Sequence, residues 1–127
     1  HYLNEIIKKR QDNFFYLANI LYKLNDKFFS IQYDHLDFVS NFAFPLICKS
    51  KELRDELVGK CKDKIELRPI VGGDITRQPF FAKHMKKNES IPGESNAKIA
   101  HEQGLYFGNN PELTAEELKE IVKIFTS

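Results

Sequence analysis

Two arginines, Arg68 and Arg77, are the side chains whose type and spacing most suggest chemistry. They sit at the two ends of a loop within IELRPIVGGDITRQPFF, residues 65–81. A guanidinium is a rigid fork of donors that can grip a carboxylate or phosphate through two parallel bonds. Ile65 and Leu67 stand two residues apart, the spacing of a half-buried strand. Pro69 stops that run as an interior strand, and Gly72-Gly73 permits positive φ or close approach to another group. Such a loop can fold back and bring its ends together, which makes Arg68 and Arg77 candidate ligands for substrate oxygens on one side of the fold. The plainer reading is two surface arginines flanking a turn, paired with Glu66, Asp74 or a helix C-terminus.

Other chemistry-bearing residues are less well spaced. His35 lies between Asp34 and Asp37, but three near-adjacent loop residues rarely converge on one ion without further ligands, so a solvated loop is expected. Lys83, His84, Lys86 and Lys87 could attract phosphate, although a lysine-rich excursion is usually solvated surface. Phe80 and Phe81 are close to that cluster, yet no RNA-binding motif accompanies them, and 19 Lys+Arg against 18 Asp+Glu is not the balance of a nucleic-acid binder. Cys48 and Cys61 form no CxxC and have no histidine at ligand spacing, so packed, reduced thiols in a cytoplasmic protein are expected, with no metal. No apolar run reaches the length of a membrane span. The chain begins without methionine, directly in a helical pattern, and is read as a fragment of a longer protein.

With 127 residues of which 42% are hydrophobic, a single domain with its own core is expected. Leu3, Ile6, Ile7, Phe14, Leu17, Ile20, Leu21 and Leu24 recur at helical steps and predict one long helix over about residues 1–25. Phe15 and Tyr16 widen its apolar face beyond what one small sheet requires. An α/β sandwich over about residues 28–127 should follow. Phe28–Tyr33 reads as a short strand and Phe42–Cys48 as a buried one, with Pro45 implying an edge or a bulge. Ser50 should cap a helix to about Lys62 with Leu53, Leu57, Val58 and Cys61 inward. With the strand at Ile65 this forms a β-α-β unit, right-handed if its strands are parallel neighbours.

Pro92-Gly93 marks a turn, and Asn96 should cap a short helix that Gly104 closes. Leu105–Phe107 is a further strand, ending in the turn Gly108-Asn109-Asn110-Pro111. Thr114 and Glu117 form a capping box, with Leu113 and Leu118 as its hydrophobic staple. Leu118, Ile121, Val122 and Phe125 line the inner face of the last helix. The expected architecture is a small antiparallel or mixed sheet, with the first and last helices on one face.

RPIVGGDITRQPFF, a helix ending in HEQG, and LYFGNNPELTAEEL before a terminal helix together resemble the C-terminal portion of the pyridoxal-phosphate-dependent nucleotide-sugar aminotransferases and dehydratases. The resemblance covers most of the chain and is closest from Phe38 onward. It implies the small C-terminal domain of a fold type I (aspartate-aminotransferase-like) enzyme of amino- and deoxy-sugar synthesis for lipopolysaccharide or capsule. In one departure, a subgroup of that family commonly has Gly-Asn where this chain has Gly73-Asp74. A carboxylate there would repel phosphate, which argues against a ligand role for position 74.

The same resemblance implies that pyridoxal phosphate is carried on a larger N-terminal domain, through a lysine or, in the 3-dehydratases, with a histidine in its place. No segment supplies that domain, so no cofactor and no catalytic residue are expected on this chain, and alone it should be inactive. Its implied partners are its own large domain, a nucleotide-sugar substrate and a second subunit, with no nucleic acid and no membrane. Arg68 and Arg77 are then the implied substrate-binding residues. The competing reading is a stand-alone anion-binding or protein-interaction module, which should not need surplus apolar surface on Leu3–Leu24 and around Phe80-Phe81.

Overall fold

The computed structural model describes residues 2–70, 73–84 and 96–127. Helix α1 runs Tyr2–Leu21, a turn shorter than its apolar periodicity predicts. Past it, Leu24 accepts the amides of both Lys27 and Phe28, which turns the chain into the sheet. Strand β1 is only Phe28–Phe29, β2 is Ala43–Cys48, α2 is Lys51–Cys61 and β3 is Leu67–Pro69. A single 3₁₀ turn, Ile75–Arg77, leads to α3, Pro79–His84. Then come α4 (Asn96–Gln103), β4 (Gly104–Gly108) and α5 (Ala115–Thr126).

The sheet is antiparallel throughout, in the order β1-β2-β4-β3. The β-α-β unit is therefore split: β2 and β3 run parallel to each other, but β4 lies between them, so the condition of parallel neighbours is not met. Strand β2 is interior in that order rather than at an edge, yet it tolerates Pro45 for a local reason. Strand β1 ends opposite Ile47, so at Pro45 only β4 is paired, and the Tyr22 hydroxyl donates to the Pro45 carbonyl at 2.8 Å.

Alternation sets the core. Phe44, Leu46 and Cys48 of β2 and Leu105 and Phe107 of β4 point to one face and are buried there. Helices α1 and α5 cover this face together, as expected, through Phe14, Leu17, Leu21, Leu118, Ile121 and Phe125. Phe125 stacks on Phe107 with ring centroids 5.4 Å apart, and Tyr22 stacks on Phe44 at 5.0 Å. Leu57 and Cys61 of α2 join the same core, whereas Val58, expected inward, is exposed.

Local signals explain the helix ends. Ser50 Oγ accepts the Leu53 amide at 3.1 Å, and Thr114 and Glu117 form the reciprocal capping box. Helix α2 stops where Asp63 takes φ 64°, a left-handed C′ residue without glycine. Pro79 opens α3, where its missing amide costs no helical bond. Helix α4 includes Asn96 rather than being capped by it, and Gly104 begins β4 opposite Ile47. Gly104 is required sterically: an added Cβ would strike the Ala100 carbonyl oxygen and Ile70. Val71, Gly72, Lys86, Lys87 and Pro92-Gly93 lie outside the described residues.

Candidate functional site

Cross-strand register builds the first half of the site. Pro45, Tyr106 and Arg68 are direct partners across β2, β4 and β3, so their side chains form one row on the face opposite the core. Leu67 points inward and Arg68 outward by the same alternation that the sequence shows at Ile65 and Leu67.

The second half is the turn from Gly73 to Gln78, held by the last residues of α4. The Asp74 amide donates to His101 Nδ1 at 3.2 Å, and Arg77 Nη1 donates to Glu102 Oε1 at 2.9 Å. The next residue, Gln103, donates to the Cys48 carbonyl at 2.6 Å and ties α4 to the end of β2. Within the turn, Asp74 is buried and its Oδ1 accepts from the Thr76 amide (3.0 Å) and hydroxyl (2.6 Å). The Thr76 hydrogen bond is the main reason the Asp74 carboxyl is held below the usual range. The carboxylate is thus spent on its own 3₁₀ turn, a cap that asparagine could also provide.

These elements enclose a cavity of about 600 Å³ that brings Arg68 and Arg77 together. Lys51 and Arg54 also reach it from the first turn of α2, with Ile70, Gln78, His101, Glu102 and Tyr106 completing much of the wall. Four cationic side chains thus face one carboxylate, although the whole chain carries a net charge of only +1. The Arg54 Nε is buried without a hydrogen-bond partner among the described residues. Arg68 bonds Glu66 through Nη2 (2.6 Å) and Nε (3.0 Å), which raises its pKa, but both side chains are well exposed and the pair contributes little to stability. Across Ile70 and Tyr106 the cavity adjoins an apolar hollow of about 290 Å³ lined by Phe42, Ala43 and Pro45.

His35 is exposed in a turn, and among the described residues no group of three or more His, Cys, Asp or Glu could hold a metal ion. Lys83 and His84 are exposed at the end of α3 and are not among the lining residues. Sequence reasoning missed Lys51, Arg54, His101, Glu102 and Tyr106. Two basic residues in a helix's first turn, where acids are favoured, were one available signal; the run HEQG was the other.

The site is thus a predominantly cationic cavity on an antiparallel sheet, with α1 and α5 behind it. No curated protein matches the chain. The structure of Escherichia coli GDP-4-keto-6-deoxy-D-mannose-3-dehydratase with bound hydrated PLP superposes with a TM-score of 0.76 at 24% identity. That match covers 97% of this chain and 31% of the dehydratase chain, so this chain spans about a third of that protein's length. The fold is therefore shared with part of a PLP-bound enzyme. The model of the DegT/DnrJ/EryC1/StrS aminotransferase family matches residues 1–126. The chain belongs to the DegT/DnrJ/EryC1/StrS aminotransferase family.

Proposed function

We propose that the chain is the small C-terminal domain of a pyridoxal-phosphate-dependent nucleotide-sugar aminotransferase or 3-dehydratase, and that Arg68 and Arg77 hold substrate oxygens at its interface with the cofactor domain. The observation that carries this reading is the single cavity lined by Arg68, Arg77, Lys51 and Arg54 with one carboxylate. The diphosphate oxygens of such a substrate only accept hydrogen bonds, and this lining supplies donors and positive charge. The adjoining apolar hollow at Phe42, Pro45 and Tyr106 suits a less polar part of the same molecule or the opposing domain wall.

The cavity does not fit the cofactor itself. Pyridoxal phosphate needs an amine or its replacement, a partner for the pyridinium nitrogen and a ring to stack on. The lining contains Lys51 and Tyr106, but its one carboxylate, Glu102, is engaged by Arg77. On this reading the cofactor is held by the rest of the protein, which acts in the cytoplasm as a homodimer in lipopolysaccharide or capsule precursor synthesis. No helix among the described residues is long and apolar enough to cross a membrane. A stand-alone anion-binding module is the second reading, and the core of this chain, closed by its own helices, favours it.

The two readings part in the full-length protein. Reversing both charges, Arg68→Glu with Arg77→Glu, should abolish saturable nucleotide-sugar binding while the absorbance of the bound cofactor stays unchanged. Retained nucleotide-sugar affinity in that variant would remove the assignment of the cavity.

A further inference from the structure

We propose that His101 is a positioning residue of this cavity: a neutral imidazole latch that holds the Gly73–Arg77 turn, and with it the Arg77 guanidinium, at the cavity wall. The inference rests on reading the cavity as an oxyanion site. A backbone amide can only donate, so the 3.2 Å bond from Asp74 N–H requires a bare lone pair on His101 Nδ1 and places the ring's single proton on Nε2. An imidazolium carries N–H on both nitrogens; two donors would then face each other and the latch must open.

A second contact fixes the same surfaces together. Gly73 adopts φ 45°, and a Cβ there would collide with His101 Nδ1 and crowd its Cβ and Cγ. The turn therefore lies flush on the ring, and glycine is needed for both conformation and space. Two hydrogen bonds from Thr76 to the Asp74 side chain, and one from the Arg77 amide to the Asp74 carbonyl, tie Asp74 to Arg77 in one turn. Arg77 ends it against Glu102, the residue next to the latch.

The charged and titratable groups around the ring are Asp74 and Arg77 on the turn and Glu102 on α4. Lys51 and Arg54 on α2, Arg68 on β3 and Tyr106 on β4 share its cavity. Protonating His101 adds positive charge near a bound anion, which alone would strengthen binding. Release of the turn withdraws Arg77, which weakens it. The latch requires the second effect to dominate.

The test uses the 127-residue chain and sulfate, an oxyanion whose charge is constant between about pH 5 and 8. Ring nitrogen NMR should show Nδ1 unprotonated and Nε2 protonated at neutral pH, with the Asp74 amide and Arg77 Nε signals moving as the ring titrates. Sulfate affinity should fall roughly three- to tenfold on acidification through that titration. His101→Asn, which keeps an acceptor near the Nδ1 position without titrating, should bind at neutral pH more tightly than His101→Ala and lose the acid dependence. His101→Ala should bind weakly at every pH. A proton on Nδ1 at neutral pH, or affinity that rises on acidification, overturns the latch. If the Asp74 and Arg77 signals follow the ring but sulfate binds nowhere, the latch stands and the cavity reading fails.

Discussion

Arg77 and Arg68 reach the same cavity by different routes, and their substitutions should separate accordingly. On the proposed reading, Arg77→Ala should weaken nucleotide-sugar binding by about 1.5–3 kcal/mol, the range for a lost charge-assisted bond, or roughly ten- to a hundredfold in Kd. The lower figure is expected, because Arg77 is 46% exposed and already shared with Glu102. Arg68→Ala should act in the same direction without changing stability, since its pair with Glu66 is exposed on both sides. Titration calorimetry beside denaturant unfolding reads both. The thiols make an independent point. Burial pushes Cys48 from 9.0 up to about 11 and raises Cys61, so both should be inert to disulfide reagents at neutral pH and react only on unfolding. A folded-state pKa above the unfolded value stabilises the fold below the unfolded pKa and is lost as pH rises through the folded one. Stability should therefore decline from about pH 9 toward 11, and Cys48→Ala should reduce that decline.

Among the elements, the turn after β4 holds more together than its composition suggests. Gly108-Asn109-Asn110-Pro111 reads in sequence as a solvated turn, and Asn110 behaves so, its side chain accepting the Glu112 amide. Asn109 instead is 1% exposed and donates from Nδ2 to the carbonyls of Arg10 (2.9 Å) and Asn41 (3.0 Å). It joins α1, the chain entering β2, and the end of β4. Asn109→Ala should destabilise by about 1–3 kcal/mol, measured from the denaturant midpoint, because two buried carbonyls lose their donor. An effect within experimental error would show that water replaces the amide. The same contrast tells what was legible in the sequence. Local grammar could be read: the Ser50 cap, the Thr114–Glu117 box and the alternation that puts Arg68 opposite Leu67. What depended on distant partners could not. Pro45 reads as an edge signal, yet the sheet order comes from β4, some sixty residues on, entering beside β2. The assignment of Arg68 and Arg77 to one side followed from the loop, but the wall that Lys51, His101 and Tyr106 add is assembled by the packing of α2, α4 and β4 and leaves no contiguous trace.

For the whole molecule, the decisive quantity is apolar surface that its own core does not use. Tyr2 and Leu3 are 75% and 56% exposed on the first turn of α1, and Leu36, Phe38 and Phe42 are 49%, 53% and 72% exposed in the segment before β2. The Ser40 hydroxyl donates to the Ile7 carbonyl at 3.1 Å, which ties that segment to α1. The core closes without any of them, so folding does not account for their exposure. Docking against a larger domain would, and the isolated chain should then associate with itself to cover them. Sedimentation across a hundredfold range of concentration should give a rising weight-average mass. Leu3→Ser with Phe42→Ser should return the chain toward a monomer with little change in unfolding midpoint, because neither side chain is part of the core. On the proposed reading, the same pair in the full-length protein should loosen the contact between domains and raise the KM for nucleotide sugar while cofactor binding holds. A chain that stays monomeric throughout, with both substitutions silent, would instead favour the self-standing anion-binding module, whose exposed aromatics need no second domain.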